Sequence, residues 1–296
     1  MMNRLSFLLN SSLVLVLISC SWAGAVSSAP DSPVRIAQGP GHTVLVSEYR
    51  RQAIVFVDTD TLQERRKIKV AGKPLGVAWS NGLVYVGNES TGRVYVYGPD
   101  NTIILTIGDT GSMVPNDLAV DQERGRIYVA DCREKVVKVF MTTGEYIYNI
   151  GESSLTNPTA VSYDPVRHEL LVSDFGDPGV GIPPSIQIYD GDGGQVATVS
   201  GIHKTGMFSS TATFVRPQGV AAGMDGKIYL VDSFLGQLLV LDRENGALLA
   251  SFDSSVSGEK LLLPLDLLLL PAKGEILVTN NRAGRISRFS LPEVMP

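Results

Sequence analysis

With 296 residues, 44% of them hydrophobic and 19% charged, the chain has the material for a large buried core, and no segment of it reads as disordered. Its 25 basic and 30 acidic side chains leave a net charge of −5, so there is no basic face from which nucleic-acid counterions would be released, and a nucleic-acid partner is excluded. Thirty glycines and sixteen prolines suit many short strands and turns, and two cysteines, Cys20 and Cys132, allow at most one disulfide.

Residues 1–19 carry one positive charge at Arg4, two apolar runs, and then small residues, which is the layout of a secretory signal. The apolar stretch is short and interrupted by Asn10, Ser11 and Ser12, a poor membrane span. Leu17-Ile-Ser-Cys20 resembles the bacterial lipobox, in which the signal is cut before the cysteine and the thiol is lipidated. Cleavage after Ala25, at Ala23-Gly-Ala25, is the alternative. Either way the chain is expected to be exported, anchored to the cell envelope by a lipid on Cys20 or otherwise secreted. Residues 20–32 then form a tether and 33–296 the folded domain. A lipid on Cys20 leaves Cys132 unpaired.

From Pro33 onward one unit recurs six times: a proline opening a short apolar strand, a Gly- or Asp-bearing turn, and a second strand ending in an acid or amide. The prolines are Pro33, Pro74, Pro115, Pro158, Pro217 and Pro264. The strand-ending residues Glu48, Asn88, Asp131, Asp174, Asp232 and Asn280 follow them by 14 to 16 positions. In the third unit, Pro115-Asn-Asp-Leu-Ala-Val-Asp121, Arg126-Ile-Tyr-Val-Ala-Asp131, Lys135-Val-Val-Lys-Val-Phe140 and Glu145-Tyr-Ile-Tyr-Asn-Ile150 are rich in β-branched and aromatic residues and split by Gly, Asp and Asn. They predict four antiparallel strands. Four strands in about 40 residues, repeated in tandem, predict an all-β, six-bladed β-propeller.

The pattern resembles the NHL repeat on Pro74-Leu-Gly-Val-Ala78 and Arg93-Val-Tyr-Val-Tyr97, on Ile127-Tyr-Val-Ala-Asp131 with Lys135, and on Pro217-Gln-Gly-Val-Ala221 with Ile228-Tyr-Leu-Val-Asp232. That resemblance implies a propeller, a scaffold shared by binding platforms and several enzymes. Two departures stand out. Unit four carries an extra stretch at 176–184 and a long link at 202–216. Unit six stops soon after Phe289, so the last blade is expected to have three strands or to be closed by residues 21–32, a Ser/Ala-rich segment and a poor strand.

The recurring acid or amide is expected to hydrogen-bond turn backbone. Asymmetry, which a site needs, lies two residues after each proline: Arg35, Gly76, Asp117, Ala160, Gly219 and Asp266. First strands line the central channel of a propeller, so Asp117 and Asp266 should face each other across it, with Asn116 and Gln218 adding amides. Lactonase-type propellers hold calcium at this level with a Glu/Asn/Asp set. Two carboxylates with Gly or Ala between them make a thin set for a cation that wants six or more oxygens, so a hydrated funnel without metal or cofactor is expected. His42, His168 and His203 are too scattered for zinc or for a catalytic triad. No Cys-x-x-Cys-His motif for c-type haem is present. The loops between second and third strands gather Tyr49, Arg50, Arg51, Arg133, Phe175, Phe234 and Arg282, types that suit protein or peptide recognition. The expectation is a non-catalytic platform for an envelope protein or a small ligand. The alternative is a calcium-dependent lactonase or esterase, or a lyase, working in the funnel.

Overall fold

The computed structural model describes residues 31–204 and 210–292. Six antiparallel sheets, at 33–69, 74–107, 115–150, 158–200, 217–252 and 264–290, form a six-bladed propeller; five have four strands and the last has three. Within each sheet the strands follow in sequence order, and the first strands, Pro33–Gln38, Pro74–Ser80, Pro115–Asp121, Pro158–Asp164, Pro217–Ala222 and Pro264–Leu270, pack on one another around the axis.

The burial pattern explains this placement. Second strands such as Arg126–Asp131 and Glu169–Asp174 are buried at every position but the first, as strands covered on both faces must be. Fourth strands such as Ile103–Ile107 bury a single residue, so they belong on the rim. Where the first strands converge five of the six side chains are small, Ala37, Ala78, Ala119, Ser162 and Ala221, and the sixth is Leu268.

Six apolar clusters fill the six interfaces between blades. The one between blades three and four joins Tyr128, Val137 and Ile150 to Val161, Leu170 and Tyr189. The ring closes by the same means, because Ile36, Val44 and Val55 of blade one pack against Leu270, Leu277 and Ile286 of blade six. Thr279 Oγ1 donates to the Val34 carbonyl at 3.0 Å and Asn281 Nδ2 to that of Pro33 at 3.0 Å. Arg288 donates to the Thr59 and Asp60 carbonyls of blade one. Among the described residues, closure rests on face packing and polar ties. The three-strand expectation for the last blade holds, while the segment at 21–30, Cys20 and the signal lie outside the described residues.

Ile286 and Phe289 are buried with no fourth strand beside them among the described residues. The exposed edge of Arg285–Ser290 is guarded by Arg285 and Arg288, paired with Glu259 and Glu275, and by the Val256 N–H, which donates to the Arg288 carbonyl at 3.0 Å. Charged edge side chains discourage pairing with another strand. The link at 202–216 proves more ordered than a plain connector: Ile202–Lys204 and Ser210–Ala212 pair as a hairpin. The extra stretch of blade four holds a short 3-10 turn, Pro178–Val180, capped by Asp177 accepting from the Gly179 N–H at 3.0 Å.

Candidate functional site

The six strand-ending acids and amides are all buried, and they tie backbone. Asp174 accepts from the N–H groups of Thr156 and Asn157, in the link entering its blade, and of Gly176 in its own loop. Asp131 accepts from Val114, Arg133 and Glu134. Asn88, Asp131, Asp174 and Asp232 thus hold together the link into a blade and the loop between that blade's second and third strands, while Glu48 and Asn280 hold the link alone, which places links and loops on one face of the disc.

The bore is built by an irregularity shared by all six first strands. Within three residues of each proline the pairing with the second strand slips, as between Pro33 and Ile36 or Pro264 and Asp266. A bulge re-aims the side chain at that point, and the third position is the one that varies: Arg35, Gly76, Asp117, Ala160, Gly219, Asp266. Asp117 and Asp266 come together at the axis as expected. The Arg35 guanidinium stands between them.

Arg35 is 1% exposed and reaches from blade one across the bore. Its Nε donates to the Asn116 carbonyl at 3.1 Å, Nη1 to Leu265 at 2.9 Å, and Nη2 to Thr159, so it binds blades three, six and four at once. The carboxylates flank it, with Nε 3.8 Å from Asp117 Oδ1 and Nη1 3.9 Å from Asp266 Oδ1. Each carboxylate also joins two blades: Asp117 Oδ2 accepts from the Val161 N–H at 3.1 Å and Asp266 Oδ2 from Ile36 at 2.9 Å. Asn116 Nδ2 donates to the Thr159 carbonyl at 2.7 Å, so its amide is engaged. Gln218 participates through its backbone, its carbonyl accepting from Ser173 Oγ.

Two glycines that sequence reasoning passed over as spacers prove necessary. A Cβ on Gly219 would stand 2.3 Å from Asp266 Oδ1, and one on Gly76 would stand 2.8 Å from the Asp117 backbone. The Asp266 carboxylate occupies room that Gly219 leaves, and the Asp117 backbone comes up against Gly76. The signal was present in the alternation Gly76, Asp117 and Gly219, Asp266, read as two Gly-then-Asp pairs.

Burial raises both carboxyls above their usual range, and Arg35 opposes the rise. Asp266 also feels the negative charge of Asp117 and is pushed up to about 8. Between the ordinary value of 3.8 and that folded value, the folded chain keeps a proton that the unfolded chain has lost. This group's contribution to stability therefore falls as pH rises through that window and stays low above it. Asp266→Asn, which retains an acceptor for the Ile36 N–H, is expected to flatten the pH dependence by up to about 1.4 kcal/mol per pH unit. Urea melts at mildly acidic and mildly alkaline pH check this, and equal slopes for the two proteins would show Asp266 ionised throughout.

The loop-face residues are uneven in their freedom. Tyr49 Oη donates to Glu89 at 2.6 Å and Arg51 to Glu64 at 2.6 Å, while the Arg133 guanidinium is held by the Gly111 carbonyl. Phe175 is half-buried, with Arg216 5.7 Å from its ring. Arg50 and Arg282 are exposed, and Phe234 is 71% exposed. Beside Phe234 the same face shows Leu235, Val180, Ile182, Leu262 and Leu263, also exposed, so its apolar surface lies over blades four to six. Sequence reasoning found the Phe234-Leu235 loop but missed Val180, Ile182, Leu262 and Leu263, which come from two other segments. His168 meets Tyr163 Oη at 3.1 Å, and His42 is exposed in its turn. The described residues contain no group of three or more His, Cys, Asp or Glu placed to hold a metal. Cys132 is half-buried, and burial raises its thiol, which argues for packing over reactivity.

No protein-family profile matches the sequence, and no curated protein does. Solved structures do match in shape. Hydrazine synthase of Kuenenia stuttgartiensis is 16% identical over 91% of this chain and 98% of that one, with a TM-score of 0.64. A chain of a nidogen/laminin complex is 15% identical over 84% and 94%, with a TM-score of 0.65. Streptogramin B lyase is 12% identical over 90% and 86%, with a TM-score of 0.61. At such identities the likeness shows the propeller fold alone, and the three differ in what their names say they do.

Proposed function

We propose that this chain is an NHL-type propeller, exported and tethered to the cell envelope through a lipid on Cys20, that serves as a non-catalytic platform binding another envelope protein on its loop face. The observation that carries this reading is the set of exposed apolar side chains Val180, Ile182, Phe234, Leu235, Leu262 and Leu263, which blades four to six present on one face of the disc. Such a patch, rimmed by charged loops, is the kind of surface a protein partner covers. Nidogen and laminin, as a complex, illustrate that a chain of this shape is found in a protein assembly.

The calcium-dependent alternative is less well supported by the bore. Calcium seeks six or more oxygens, and here a guanidinium stands between the only two carboxylates at that level. A dication beside it would leave net positive charge among buried groups, so the donor set does not fit.

A photo-crosslinker at position 234, in cells, is expected to give one discrete adduct that the same group at Val196, exposed on the rim strand Gln195–Ser200, does not give. Leu262→Glu, with an unchanged melting temperature, is expected to abolish it. Identical adducts from both positions would overturn the reading, as would a stoichiometric calcium that Asp117→Ala removes.

A further inference from the structure

From the third position onward, the innermost strands line a cavity of about 320 Å³, on the side of the carboxylates away from the carbonyls that Arg35 binds. Its mouth lies among the turns joining first and second strands, on the face opposite the apolar loop patch. Asp117 and Asp266 line it, each side chain more than nine-tenths buried.

Their oxygens are unequally satisfied. Asp117 Oδ1 accepts from the Leu118 N–H at 2.9 Å and Oδ2 from Val161, while Asp266 Oδ2 accepts from Ile36. Asp266 Oδ1 meets no well-aligned donor among the described residues. The Leu267 N–H influences that carboxylate only weakly, and Arg35 Nη1 stands 3.9 Å from Oδ1, beyond hydrogen-bonding distance. Two carboxylates against one guanidinium also leave one negative charge uncompensated in a site that water barely reaches, an arrangement that costs several kcal/mol unless a positive charge or a proton neutralises it. Finally, each innermost strand has its sheet partner on one side only, so alternate carbonyl oxygens along its free edge face the bore.

We propose that this cavity is a binding site for a small organic cation bearing a primary ammonium group, seated on Asp266 Oδ1 with its remaining N–H bonds directed to Asp117 and to strand-edge carbonyls. One positive charge neutralises the cluster, whereas a divalent metal overshoots it and an anion meets two carboxylates. Three donors on one nitrogen suit a ring of oxygens, and the cavity's size admits a small-molecule ligand. Bound ammonium takes the place of the proton that Asp266 otherwise holds. This site is independent of the platform reading and stands if that reading fails.

The test is titration of the purified full chain with propylammonium chloride, against 1-propanol as its neutral counterpart, followed by calorimetry and by amide resonances. Saturable one-to-one binding of propylammonium is expected, at least about tenfold tighter than that of 1-propanol, since a charge-assisted hydrogen bond is worth 1.5–3 kcal/mol. The Ile36 and Val161 amides, which donate to the two carboxylates, should shift most. Asp266→Asn should lose the preference for the cation. Absent saturation, equal binding of amine and alcohol, or shifts centred away from Ile36 and Val161 would each overturn the proposal. The wild-type measurements decide it even if the variant does not fold.

Discussion

Replacing Arg35 by alanine is expected to lower the stability of the whole ring by about 3–5 kcal/mol at neutral pH, because it removes the only cation that the described residues place beside the buried Asp117–Asp266 carboxyl pair and frees three carbonyls. For a chain of this size that is a fall in Tm of roughly 10 °C. The loss should shrink under acid conditions, where both carboxyls take up protons and no longer need a counter-ion, and it should grow as pH rises. Arg35→Lys is expected to lie between the two, since an ammonium is a point charge and cannot span carbonyls on blades three, four and six as the planar fork does. Adding Asp266→Asn to Arg35→Ala should recover part of the loss, giving a coupling energy that a double-mutant cycle reads directly. Thermal melts of wild type, Arg35→Ala, Arg35→Lys, Asp266→Asn and the double variant at two pH values check this. A drop of less than 1 kcal/mol for Arg35→Ala, independent of pH, would show that the bore is open to water and the charges are screened.

The second large effect is expected at Asp232. This buried carboxylate accepts four backbone bonds: from Val215 at 2.6 Å and Arg216 at 2.8 Å in the link entering blade five, and from Phe234 and Leu235 at 2.8 Å each in its loop. Asp232→Ala leaves those donors without an acceptor, at a cost of about 3 kcal/mol or more. Asp232→Asn should cost less, because one oxygen remains. Both variants loosen the turn that presents Phe234, so faster hydrogen exchange is expected at Val215 and Leu235 while the amides of the strand Lys227–Asp232 stay protected. Global loss of protection without this local signature would mean that the residue matters to the blade core and not to its loops.

These two sites differ in how far the sequence made them readable. Asp232 and its five counterparts recur at a fixed distance from a proline, and their partners lie within about 20 residues, so turn chemistry alone suggests their role. The third-position residues were also legible as the asymmetric set, and Asp117 was expected to face Asp266. The sequence could not show that Arg35 fills the gap between them, because its partners Asn116, Thr159 and Leu265 are 81, 124 and 230 positions away. It could not show either that Gly219 leaves the space for the Asp266 carboxylate and Gly76 that for the Asp117 backbone.

The loop face shows the same division. Phe234 was visible as an aromatic in a predicted loop, whereas the patch around it required Val180, Ile182, Leu262 and Leu263 to be carried onto one face by blades four, five and six. What the chain's own order of residues determined is the repeating unit, its strands and their number, since strand periodicity, turn residues and the prolines act over a few positions. What only the tertiary structure decided is the content of the bore and the outline of the patch, since both are set where six units meet around an axis, and contacts across an axis leave no local mark.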